Sequence, residues 1–141
     1  MLVLEKILSD HNFPKRTVAQ AITFDEVEKS IKFLLPDDYK FYLKNFVGHE
    51  CFVGPEYLRL WDFNDLLENN NGYGIIENLT NTLAIGGNGG GEFIAIEYLN
   101  QDQYRIVLSP FIDLNKQYNI EIGASFTDML NRLNRGKAWF N

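Results

Sequence analysis

Cysteine is nearly missing: Cys51 stands alone among 141 residues, so no disulfide can close within the chain. A secreted protein of this size often leans on several disulfides, and the expectation is a cytoplasmic protein in a reducing compartment. Histidine is almost as scarce. His11, His49 and Cys51 together make only three of the four His or Cys ligands that a closed zinc site normally takes, so no metal is expected. Basic residues are outnumbered, 13 against 19 acidic ones, for a net charge of −6 and a pI near 4.8. A phosphate backbone is repelled by such a surface on average, and direct nucleic-acid binding is not expected. Long apolar runs are also missing. Met1 to Leu4 and Phe93 to Ile96 fall far short of the roughly 20 residues that cross a bilayer. The opening MLVLEKILSDHNF has no basic stretch ahead of its apolar residues and carries Glu5 among them, which argues against a secretory signal.

Hydrophobic residues make up 45%, aromatics 14% and charged residues 23%, an ordinary globular composition tilted toward aromatics. With no internal repeat and no long linker, the length points to a single domain over residues 1–141 with one core. An acidic surface of this kind suits a basic protein partner, since opposite charge speeds encounter. It is equally what many cytoplasmic proteins carry for solubility.

Local signals divide the chain. Thr23-Phe-Asp-Glu26 is a capping box that opens a helix through Val27, Ile31 and Leu34. Pro36 interrupts it and starts a second helix to about Asn45, with a stripe of Tyr39, Tyr42, Leu43 and Phe46 and with Gly48 placed to end it. Cys51 to Val53 and Tyr57 to Trp61 flank Gly54-Pro55 as a hairpin. Asp62 or Asn64 caps a short helix to about Asn69, which the run Asn69-Asn-Asn-Gly72 closes as a loop. Thr82 to Ile85, Glu92 to Tyr98 and Tyr104 to Leu108 read as an antiparallel meander, with Ile94, Ile96 and Tyr98 facing the core. Ser125-Phe-Thr-Asp128 caps a last helix of Phe126, Met129, Leu130 and Leu133 that Gly136 ends, and Trp139 and Phe140 dock the tail 137–141.

No motif carries chemistry. Gly86-Gly-Asn-Gly-Gly-Gly91 lacks the Gly-Lys-Ser/Thr of a phosphate loop and the Gly-x-Gly-x-x-Gly of a dinucleotide site, and a strand follows it where both need a helix. It reads as a turn or bulge whose glycines permit positive φ and close approach of backbone, or as a loop touching a partner. There is no nucleophile elbow, no His-Glu-x-x-His and no paired Cys and His, so no catalytic residue and no cofactor are expected. Tyr57 and Trp61-Asp62-Phe63 form an aromatic cluster. It either packs in the core or, where a ring is exposed, anchors an interface.

Read in order, the pieces resemble the SUKH superfamily, the Smi1/Knr4-type domain, from about Thr23 to Leu133. The resemblance rests on Leu35-Pro36-Asp37-Asp38-Tyr39-Lys40-Phe41-Tyr42-Leu43 with Asn45 and Gly48 after it, then Leu60-Trp61, Ala84-Ile-Gly86 and Ser125-Phe126. The family's adjacent Asn-Gly is parted here by Phe46-Val47. The resemblance implies an α+β fold, a central mostly antiparallel sheet of four to six strands with helices packed around it. It also implies an immunity protein that binds and neutralises a cognate toxin, often a nuclease that is basic where it grips phosphate. A regulatory or scaffolding module with a non-toxin partner is the alternative. On either reading an acidic face of Glu50, Glu56, Asp62, Asp65 and Glu92, with Tyr57 and Trp61, is expected to contact the partner.

Overall fold

Thr23 opens the first capped helix as its hydroxyl accepts from the Glu26 amide at 3.2 Å. In the computed structural model, which describes residues 2–140, this is the second helix, α2 (Phe24–Ile31), after α1 (Leu2–Asp10). Val27 and Ile31 are buried as their spacing requires, but Leu34 is not. Lys32 turns into the left-handed region at φ 66°, so the stripe ends and Leu34 is left 64% exposed between buried Phe33 and Leu35. Pro36 stands one place ahead of α3 (Asp37–Asn45), whose Asp37 and Asp38 favour the positive end of the helix dipole. Tyr39, Tyr42 and Leu43 are fully buried. Phe46 is buried too, yet it already has extended geometry, so the helix stops without Gly48. Gly48 serves a different end: a Cβ there would lie 2.5 Å from the Asp62 amide nitrogen.

Six strands form one antiparallel sheet in strict chain order, β1 (His49–Val53), β2 (Glu56–Leu60), β3 (Thr82–Gly87), β4 (Glu92–Asn100), β5 (Gln103–Pro110) and β6 (Ile120–Gly123). One face packs on α1, α2, α3 and α6 (Phe126–Asn134), where Leu4, Val27, Tyr42 and Leu130 meet Leu58 and Ile96. Ile94 and Ile96 do face this core, and Tyr98 packs at its margin by stacking on Phe33, 5.6 Å between ring centres. The opposite face is covered over its middle by α5 (Ile75–Asn78), Leu79 and the segment 111–114, while α4 (Leu66–Gly72) lies beside β3 and sends Leu66 into the main core. Phe93 and Ala95, expected to point away from the core, are therefore buried under Ile75 and Leu79. At the β1–β2 end this outer face is bare. Ser125 caps α6 by accepting from the Asp128 amide at 3.0 Å, and the tail docks with Trp139 buried while Phe140 stays exposed. Asn141 lies outside the described residues.

The asparagine run expected to be a loop is helical, and one of its members is an internal strut. Asn70 is completely buried on α4, and its side chain reads the backbone of β3 as a neighbouring strand would. Its Oδ1 accepts from the Ala84 amide at 2.8 Å while its Nδ2 donates to the Ala84 carbonyl at 2.8 Å. Those groups lie where the ladder with β4 shifts register, between Ala84 and Gly86. Asn70→Ala is expected to lower stability by about 2 kcal/mol, because a buried donor and acceptor lose their partners. A urea titration that moved by less than about 0.5 kcal/mol would show that water replaces the strut.

Candidate protein-binding site

Where β2 leaves the sheet, Trp61 and Asp62 are held from behind. The Tyr42 hydroxyl donates to the Trp61 carbonyl at 2.9 Å, and the Trp61 amide donates to the Ile85 carbonyl at 2.9 Å. Asp62 caps the 3-10 turn Phe63–Asp65 by accepting from the Asn64 amide at 3.2 Å. Its other oxygen accepts from the Gly48 amide at 3.1 Å and from the Arg16 guanidinium at 2.6 Å. Burial opposes ionisation of this carboxyl, but those donors outweigh it and hold Asp62 below the ordinary carboxylate range. Asp62 is therefore a joint more than a contact, with its side chain 16% exposed.

In front of this joint the bare half of the outer face carries charge in pairs. Glu50 and Arg59 are cross-strand partners on β1 and β2, and their side chains form an ion pair about half exposed to solvent. Hydrogen bonds from Arg59, then from the Tyr57 hydroxyl, keep the Glu50 carboxyl below its usual range. Phe52 lies on the same face, 64% exposed, with its ring edge-on to Tyr57 at 5.4 Å.

Two shallow hollows meet at Arg59 and Trp61. The first, about 390 Å³, runs past His49, Glu50, Asp62 and Asp65. The second, about 360 Å³, is walled by Trp61, Tyr73 and Phe111 and floored by Gly87 and the loop from Gly89 to Glu92. The Trp61 and Tyr73 rings are parallel to within 9°, with centres 5.9 Å apart, and Tyr73 meets Phe111 at 4.6 Å.

Of the residues singled out from sequence, Glu50, Trp61, Asp62 and Asp65 share the first hollow, and Glu92 joins Trp61 in the second. Tyr57 lies beside them with its ring against Gly89, where a Cβ would come within 2.7 Å of Cδ2. Glu56 is elsewhere. At the turn end of β2 its carboxylate accepts from the Trp139 amide at 2.8 Å, which ties down the tail. Arg59, Tyr73 and Phe111 were not foreseen. The strand register that pairs Arg59 with Glu50 was legible from the hairpin, but the meeting of Tyr73 and Phe111 depends on how α4 and the segment after β5 cross the sheet.

Chemistry of other kinds finds little footing on this face. Among the described residues no group of three or more His, Cys, Asp or Glu is placed to hold a metal ion. Burial pushes the Cys51 thiol up, away from a reactive thiolate. No described helix is long and apolar enough to cross a membrane.

One antiparallel sheet with helices against its faces, entered through Leu35-Pro36 and closed by the Ser125-capped helix, is the α+β layout of SUKH-type domains. The chain belongs to the SMI1 / KNR4 family (SUKH-1), whose model matches residues 19–132. The match takes in α2 through most of α6 and leaves α1 outside. Membership accords with a function of the immunity-protein type. No curated protein matches the sequence significantly.

Proposed function

We propose that this protein is an immunity protein of the cytoplasm, a single SUKH-type domain that neutralises a cognate toxin by binding it, without catalysis. The face that does so is the bare half of the outer sheet, from Glu50 and Tyr57 across Trp61 and Asp65 to Glu92. The observation that carries this reading is the charge pairing on that face. Arg59 answers Glu50 and Arg16 answers Asp62, while Asp65 and Glu92 form no ion pair among the described residues. A basic toxin, such as a nuclease at the groove where it holds phosphate, offers the missing cations, and opposite fields raise the rate of encounter.

Co-expression with a candidate toxin from a neighbouring open reading frame tests it. Growth is expected to be rescued and a stable complex to co-purify, with an association rate that falls by about tenfold or more from low to high salt. Rescue with a salt-independent rate would remove the electrostatic account and leave the immunity role. A stable complex with a cellular protein, and no rescue from any neighbouring toxin, would favour the regulatory or scaffolding reading instead.

A further inference from the structure

The hollow between Trp61, Tyr73 and Phe111 has a glycine floor that the fold only partly demands. Gly86 and Gly87 sit under neighbouring strands, and Gly89 needs its φ of +79° and its room beside Tyr57. Gly91 needs neither. Its φ is ordinary, and a Cβ there would meet nothing within 4 Å. At Gly90 the nearest atom to such a Cβ is the Asn88 side-chain oxygen, at 3.4 Å, an ordinary contact. Both residues line the hollow, and a long side chain in either place has the reach to occupy it without touching the core.

We propose that this hollow receives a basic side chain of the protein partner, a guanidinium in first place, laid against the aromatic wall. The proposal rests on the partner-binding reading above and names the group that is bound. Three observations converge on a cation. The wall is aromatic, and the faces of Trp and Tyr rings attract a positive group, most strongly when it is partly desolvated. A planar guanidinium also stacks on such rings, which an ammonium does not. The rim is acidic: Glu92 lines the hollow, and among the described residues its carboxylate accepts only from the neutral Asn88 amide, at 2.7 Å, with no cation paired to it. Arg59 lines the same space, but its guanidinium is paired with the Glu50 carboxylate, which offsets its charge toward a ligand. At about 360 Å³ the space is ample for one arginine side chain.

The test uses N-acetyl-arginine amide as the probe, with the tryptophan indole N–H signals read by NMR. Trp61 lines the hollow, while Trp139 is buried at the far end of the hairpin and serves as an internal reference. A saturable shift confined to Trp61 is expected, with a dissociation constant on the order of 10 mM. Gly91→Leu is expected to weaken it at least tenfold while leaving the melting temperature unchanged, and Tyr73→Leu, at a half-exposed position, is expected to weaken it as much while lowering the melting temperature by a few degrees through the lost ring contacts. No saturation, an equal response to N-acetyl-aspartate amide, or full binding by both variants would each overturn the proposal. Because no toxin enters this assay, a flat titration beside intact neutralisation sinks the pocket alone. Arginine binding without any toxin partner sinks the immunity reading alone.

Discussion

Gly86→Ala is expected to cost more than about 3 kcal/mol and to leave a protein that is largely unfolded or loosened between β2 and β3. A Cβ at this position would stand 1.9 Å from the Arg59 carbonyl oxygen and 3.1 Å from the Leu60 Cα, and both atoms are backbone. No side-chain rotation relieves such a contact. The join it would open is narrow, since β2 and β3 pair only at Arg59 with Gly87 and Leu60 with Gly86, with the Trp61 amide on the Ile85 carbonyl just beyond. Strand β2, freed by the opened join, carries Arg59 to the hollows, so the variant is also expected to lose binding at the proposed face. Gly91→Ala, five residues along and in open space, is the matched control and is expected to change stability by less than about 0.5 kcal/mol. Equal urea midpoints for the two variants would refute the close-packing argument.

Arg16→Met is expected to destabilise the protein by about 3 kcal/mol. Arg16 has only 8% of its side chain exposed, and besides Asp62 it donates to the carbonyls of Leu43 and Phe46 at 3.3 and 3.1 Å, at the end of α3. Methionine fills much of the volume but leaves the Asp62 carboxylate facing a less polar wall, with only the Gly48 and Asn64 amides to hold its charge. The pH dependence gives a separate reading. Asp62 has its folded pKa lowered, so its contribution to stability is present above its unfolded value, near pH 4, and is lost as pH falls through the folded value. In Arg16→Met that acid-side loss is expected to start at the same pH, to be smaller and to be complete at higher pH. An Arg16→Met protein whose stability falls with acid as steeply as the wild type would show that the pair does not set the Asp62 titration.

What the sequence made legible was whatever a few adjacent residues decide. The hydroxyls of Thr23 and Ser125 cap helices as their spacing announces, Gly54-Pro55 turns the hairpin, and Ile94 and Ile96 alternate onto the core. Asp62 was legible as a cap, though not as the partner of Arg16, a residue 46 positions away. Features that follow from packing were not legible. Helix α1 was not foreseen, and it exists because Leu4, Ile7 and Leu8 bury against α6, at about 2 kcal/mol for each side chain. Strand β6 is four residues long with only its second half buried, too short for alternation to register. Asn70 belonged to a run that composition assigns to a loop, and only the ladder shift in β3 explains why an amide belongs there. On the candidate face, the acidic and aromatic residues stood out by type. Their division into paired and unpaired charges needed the fold, and Glu56 proved to serve the tail.

Each strand of this sheet lies beside the one that precedes it in the chain. Assembly can therefore proceed hairpin by hairpin, with the entropy of closing long loops confined to the α4–α5 excursion and to the joining of the two chain ends through α1 and α6. Such a topology favours rapid maturation after synthesis.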